Sequence, residues 1–85
     1  MTPEQCREAR RLLTWSIDEM AAGSHVPAEI IALFEAGDLV GMMDLQVRMR
    51  NALEAAGIAF PFLIEDGQFV PLGVTLSRHG PQDLN

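Results

Sequence analysis

Punctuation constrains this chain more than any other feature. Two capping boxes and glycines at 23, 37 and 57 cut the first 57 residues into short helical segments. Thr2 and Gln5 form a T-x-x-Q box, in which each side chain can satisfy the other residue's backbone N–H, and Pro3 suits the first helical position. Cys6, Ala9, Leu12 and Leu13 recur at helical spacing and predict a first helix over residues 3–13. Ser16 and Glu19 form a second box, with Asp18 and Glu19 in the first turn, where the helix dipole favours negative charge. Gly23 and Ser24 are expected to end that helix by about residue 22. Pro27 occupies a helix-start position, Ile31 and Phe34 mark an inward face, and Gly37 closes the third helix. After a loop over residues 38–41, a further helix begins at Met42 or Asp44. It runs through Leu45, Met49, Leu53 and Ala56 to Gly57, either as one helix or as a turn followed by one.

The pattern changes beyond Gly57. Residues 58–64 are apolar and strand-like, Asp66-Gly67 is a strong hairpin turn, and residues 68–76 can return as a second strand. Pro61 and Pro71 each remove a ladder donor, which predicts edge or interrupted strands. The expected architecture is mainly α: a compact bundle of four to five helices with a short C-terminal β-hairpin. A helical domain spans residues 1–58, the hairpin packs on it or extends it over 59–78, and a polar tail over 79–85 is expected to be disordered. The second and third helices, joined by a tight Gly-containing turn, have the helix-turn-helix arrangement.

Composition narrows the function. A chain of 85 residues makes one domain and buries only about 60% of its unfolded surface, so its stability can lean on a partner or a dimer mate. The N-terminus is polar and no apolar run approaches the roughly 20 residues of a membrane span. The one cysteine, Cys6, cannot make an internal disulfide. Those features predict a cytoplasmic protein. No histidine, serine or carboxylate sits in a nucleophile context and metal-ligand spacing is absent, so neither an enzyme nor a cofactor is expected.

Twelve acids oppose six arginines, with no lysine. The arginines are Arg7, Arg10, Arg11, Arg48, Arg50 and Arg78, so residues 12–47 carry no base. Asp18, Glu19, Glu29, Glu35, Asp38 and Asp44 all fall in that interval.

Several separate pieces keep the relative spacing of one family. They are residues 2–7, Arg10, Leu12-Leu13, Trp15-Ser16, Val26, Phe34-Glu35 with Gly37, and residues 52–58 with Phe60. Over about residues 2–60 the chain resembles the small XRE-type (Cro/repressor-like) helix-turn-helix regulators of bacteria. The resemblance implies a core of Trp15, Met20, Val26, Ile31, Phe34, Met49 and Leu53, and a structural salt bridge between Arg10 and Glu35. It is weak beyond residue 60, where such proteins end in a Gly-rich segment and one Arg-rich strand.

The positions that the resemblance assigns to DNA contact are altered. Ile17 stands where a phosphate-donating Gln is typical, and the third helix opens with Pro27, Ala28 and Glu29 in place of Ser and polar readers. Ile30 replaces a common Thr and Leu33 a common Arg or Lys, and Asp38, Leu39 and Val40 follow where bases are usual. Pro27 has no N–H to offer a phosphate, Ala28 cannot bond a base edge, and Glu29 would be repelled by the backbone. DNA-binding domains commonly make about 6–10 phosphate contacts. The five acids and no bases of residues 16–39 would slow approach to DNA.

Ile17, Ile30, Leu33, Leu39 and Val40, with Met42 and Met43 beyond, form an expected apolar surface rimmed by acids, a common mark of a protein-binding site. The hairpin could cover it, a homodimer could bury it, or some of these residues could belong to the core. The expected function is a protein-binding regulator that inhibits a transcriptional activator, and the chain is similar in size and style to small antiactivators of quorum-sensing and conjugative-transfer regulators. The alternatives are an XRE-type DNA-binding repressor using Arg7, Arg11, Arg48 and Arg50 on phosphates, and an antitoxin-like or oligomerisation domain.

Overall fold

A computed structural model of the chain describes residues 1–39 and 41–77. Four helices lead: α1 (Pro3–Leu13), α2 (Ile17–Ser24), α3 (Ala28–Glu35) and α4 (Met43–Ala55). Four short strands follow: β1 (Ile58–Ala59), β2 (Phe62–Glu65), β3 (Gln68–Pro71) and β4 (Thr75–Leu76). The architecture is mainly α with a small β region, and α4 is one helix with no fifth among the described residues. Val40 and the tail over residues 78–85, with its expected disorder, lie outside the described residues. No helix among the described residues is long and apolar enough to cross a membrane.

Both capping boxes close. The Gln5 and Glu19 amides donate to the Thr2 and Ser16 hydroxyls at 3.1 and 3.0 Å, and the Thr2 and Ser16 amides donate back to Gln5 Oε1 and Glu19 Oε1 at 2.8 and 2.9 Å. Each such cap stabilises its helix by about 1 kcal/mol. α1 ends in a left-handed Thr14 (φ 54°), and the Trp15 amide donates to the Arg10 carbonyl at 2.9 Å, a Schellman closure.

α2 runs past its expected stop. Gly23 lies inside the helix, and the left-handed residue that ends it is His25 (φ 58°). A Cβ at Gly23 would meet the Trp15 ring at 3.7 Å, an ordinary van der Waals contact, so neither termination nor packing requires a glycine here. Pro27 sits just outside α3, as the extended residue before its first turn.

Inward side chains from all four helices and β1 form one core: Cys6, Ala9, Met20, Val26, Ile31, Phe34, Met49, Leu53 and Ile58. Trp15, Leu12, Leu13, Leu45 and Phe60 pack partly buried around it. β1 lies on α4 and pairs with β4, which packs on α1.

The C-terminal segment is one antiparallel arm in two pieces. At its base Ile58 pairs with Leu76 and Ala59 with Thr75; farther out Phe62 pairs with Pro71 and Glu65 with Gln68. The Leu72 amide donates to the Pro61 carbonyl at 2.9 Å, so Gly73 and Val74 together oppose Phe60 alone. That is a β-bulge, and Gly73 takes the positive φ (99°) that it requires. The tip is a two-residue turn with Asp66 at φ 51° and Gly67 at φ 76°, the primed geometry that matches strand twist.

Gly57 turns α4 into β1 at φ 106°, with its carbonyl accepting from the Ser77 amide at 2.9 Å. A Cβ there would approach the Ser77 carbonyl oxygen to 2.7 Å. Two alanine substitutions therefore have opposite signs. Gly57→Ala is expected to cost about 1–3 kcal/mol through backbone strain, whereas Gly23→Ala is expected to gain about 0.5–1 kcal/mol from helix propensity. Urea unfolding followed by far-UV circular dichroism measures both.

Candidate functional site: an acidic helix face and its internal brace

Helical spacing divides α3 cleanly. Ile31, Phe34 and Glu35 point inward, and Glu29, Ala32, Leu33 and Ala36 form the outward stripe at i, i+3, i+4 and i+7. No side chain of that stripe can donate a hydrogen bond, so it cannot grip phosphates or read acceptor edges of bases. Leu33 is 43% exposed at its centre. The acids Asp18 and Glu19 in the first turn of α2 and Asp38 after α3 are exposed, as are Pro27, Met42 and Met43.

The expected contact residues therefore separate into two groups. Ile17, Ile30 and Leu39 are half-buried against the core, and Ala28 is half-buried at the start of α3. Pro27, Glu29, Leu33, Met42 and Met43 are exposed, and Val40 lies outside the described residues. The exposed apolar surface on α3 is thus narrower than the sequence implied. Ala32 and Ala36 complete it; their spacing from Glu29 is the signal that could have found them.

The arm does not cover this face. β2 and β3 pair with each other and touch the helices sparsely. Their side chains form a second exposed apolar surface, of Phe62, Leu63, Ile64, Phe69 and Leu72, which the reading of the contact residues missed.

Glu35 braces α3 from inside. Arg10 clamps its carboxylate in a fork, with Nε to Oε2 and Nη2 to Oε1 both at 2.7 Å. The third Arg10 nitrogen, Nη1, donates to the Trp15 carbonyl at 3.0 Å, tying the α1–α2 turn to the same group. Arg7 donates to the Glu35 carbonyl, and the buried Cys6 thiol donates to Glu35 Oε2 at 3.2 Å. Burial pushes the Glu35 carboxyl up, but bonding from Arg10 and Cys6 outweighs that and holds it below the usual carboxylate range. Burial, then the facing carboxylate, pushes the Cys6 thiol far up, so it stays protonated and packs as an inert side chain.

Two of the other described arginines have local partners. Arg11 pairs with Glu8 at 2.6 Å, and Arg50 pairs with Glu54 at 3.2 Å while stacking over Phe60 at 5.0 Å. These exposed pairs are screened by solvent, contribute little, and could be surrendered to a phosphate. What they cannot do is move onto α2 or α3, which carry no base. Arg48 lines an open groove of about 590 Å³ with His25 and Asn51, between the end of α2 and α4. Among the described residues no group of His, Cys, Asp or Glu is placed to hold a metal ion.

The brace has a pH signature. Because the folded Glu35 carboxyl titrates below its unfolded value, its contribution is complete above about pH 4.3 and is lost as pH falls through the lower folded value. Glu35→Ala should destabilise the fold by about 3–5 kcal/mol at neutral pH, because it strands the Arg10 charge. In Glu35→Gln the fall in unfolding free energy on acidification should be shallower than in the parent, measured by urea unfolding between neutral pH and pH 3. The chain matches no protein-family model, and comparison with curated proteins finds no match.

Proposed function

We propose that this chain is a protein-binding regulator of the antiactivator kind, built on an XRE-type helix-turn-helix frame that no longer reads DNA. In this reading α2 and α3 are the two helices of the motif and the Arg10–Glu35 brace belongs to the frame. The α3 surface docks on a transcriptional activator and masks its working surface.

One observation carries the reading: the outward stripe of α3 is Glu29, Ala32, Leu33 and Ala36, apolar with one acid and no donor. A DNA-reading helix needs donors and positive charge there, since phosphate contacts supply essentially all non-specific affinity. A protein partner needs something else, a central apolar anchor within a polar rim. Leu33 is that anchor; Met42 and Met43, exposed just before and at the start of α4, have flexible thioethers that suit an adaptable contact. The exposed acids of α2, α3 and the turn after it, Asp18, Glu19, Glu29 and Asp38, favour a partner surface that carries basic residues around an apolar pocket.

Titration of the labelled chain with candidate activators, following amide shifts, tests the proposal. Shifts should centre on residues 29–39, and Leu33→Asp should weaken binding at least roughly tenfold, the loss expected when a buried leucine contact worth about 1.5–3 kcal/mol is replaced by a charge. Shifts confined to other surfaces, or unchanged affinity of Leu33→Asp, would overturn it. Tight, salt-sensitive and sequence-dependent mobility shifts with DNA would favour a repressor instead.

A further inference from the structure

We infer that the outer edge of β2 is a self-association site, through which two copies of this chain join their arms into one four-stranded antiparallel sheet. The inference goes beyond the α3 reading and uses none of its residues.

The hydrogen-bond register shows which backbone groups face outward. In an antiparallel pair, bonded and non-bonded residue pairs alternate. The Leu72 amide donates to the Pro61 carbonyl, so the pairs Leu63 with Val70 and Glu65 with Gln68 are also turned inward. The alternate pairs, Phe62 with Pro71 and Ile64 with Phe69, turn their N–H and C=O groups outward. Pro71 fits this phase, since it has no N–H to lose. The two edges of the arm are therefore unlike. β3 is blunted by Pro71 and by the bulge at Gly73 and Val74, whereas β2 presents Phe62 and Ile64 with both donors and acceptors intact. Charge, proline and bulges are the usual protections of a free edge, and β2 has none of them between Phe62 and Ile64.

Side chains make the same point. Phe62, Ile64, Phe69 and Pro71 share one face; the first three are exposed and the Phe62 and Phe69 rings stack at 4.4 Å. A lone two-stranded hairpin with solvent on both faces is marginal in water, and additional strands are what stabilise it.

A second copy is the occupant that this edge fits. An antiparallel strand pairs with itself about a two-fold axis, so the edge is complementary to its own copy without further requirement. The outward groups set the register: Phe62 pairs with Ile64 of the second copy, Ile64 with its Phe62, and Leu63 faces Leu63. In that register each Glu65 lies opposite the other copy's Pro61. The two Glu65 residues are then about four residues apart along the strands, roughly 13 Å, beyond the screening length of about 8 Å at physiological salt. The net charge of −6 per chain opposes self-association in general, and the stretch from Phe62 to Ile64 adds no charge of its own to the shared edge. The chain's own segment beyond residue 77 is a poor strand, with Gly80, Pro81 and a single large apolar side chain, Leu84.

Sedimentation equilibrium of the full chain over micromolar to millimolar concentration reads the association. The expected result is a monomer–dimer equilibrium with the Phe62 and Ile64 amides protected from hydrogen exchange at high concentration. Ile64→Pro removes the outward donor and the Ile64 side chain but no donor to β3, since the Ile64 N–H faces away from that strand; it should weaken the dimer at least roughly tenfold. Ile64→Lys, which keeps every backbone group and adds charge to the shared face, should weaken it as well, while Leu33→Asp should leave it unchanged. A chain that stays monomeric throughout, or a dimer indifferent to both Ile64 substitutions, would overturn the inference, the first outcome pointing to a strand from a different protein.

Discussion

The fork between Arg10 and Glu35 is the interaction on which the remaining geometry depends. Arg10 directs two nitrogens to the carboxylate on α3 and the third to the Trp15 carbonyl in the turn between α1 and α2. One side chain thereby fixes three elements. The carboxylate also accepts from the Cys6 thiol, so every polar atom of this cluster is satisfied inside a largely apolar surround. A buried ion pair of this kind adds little net stability, because desolvation offsets most of the attraction. Its consequence is geometric: Glu35 cannot turn outward, so the helical phase of α3 is locked. With Glu35, Ile31 and Phe34 inward, Glu29, Ala32, Leu33 and Ala36 must face solvent.

That phase links the fold to the proposed function. The same α3 sequence rotated by one position would present a different apolar surface, although no side chain of α3 can donate in any phase. With the phase fixed, the apolar stripe with Glu29 at its start is a property of the folded molecule. The charge distribution then limits what can approach it. A polyanion meets Asp18, Glu19, Glu29 and Asp38 with no base on either helix, whereas a basic protein surface meets complementary charge.

The arm obeys a different logic. Its base is anchored, since β1 and β4 lie on α4 and α1, while β2 and β3 gain little from the helices. The Gly73 bulge shifts the register by one residue between the two pieces. Two exposed surfaces therefore coexist on one small chain: an acidic one on α3 and an uncharged one on the arm. The two surfaces share no residue, so the proposed partner protein and the proposed second copy would not compete for the same side chains.

Local chemistry was legible in the sequence because it acts over three or four residues. The capping boxes, the Asp66-Gly67 turn and the helical spacing of the core residues all belong to that class. The existence of four helices and a hairpin followed from them. Three matters were decided only by tertiary contacts. Gly23 reads as a helix stop, yet the Trp15 ring from the preceding turn packs over it and α2 continues to Ser24. Ile17, Ile30 and Leu39 read as surface, yet packing against the core half-buries them, because an apolar side chain near a helix boundary goes wherever the neighbouring elements leave room. The arm read equally well as a cover for α3 or as an extension. The anchoring of β1 and β4 on α4 and α1, together with the Gly73 bulge, leaves β2 and β3 off the helices, and sequence patterns with periods of two and 3.6 residues carry no information about such long-range docking.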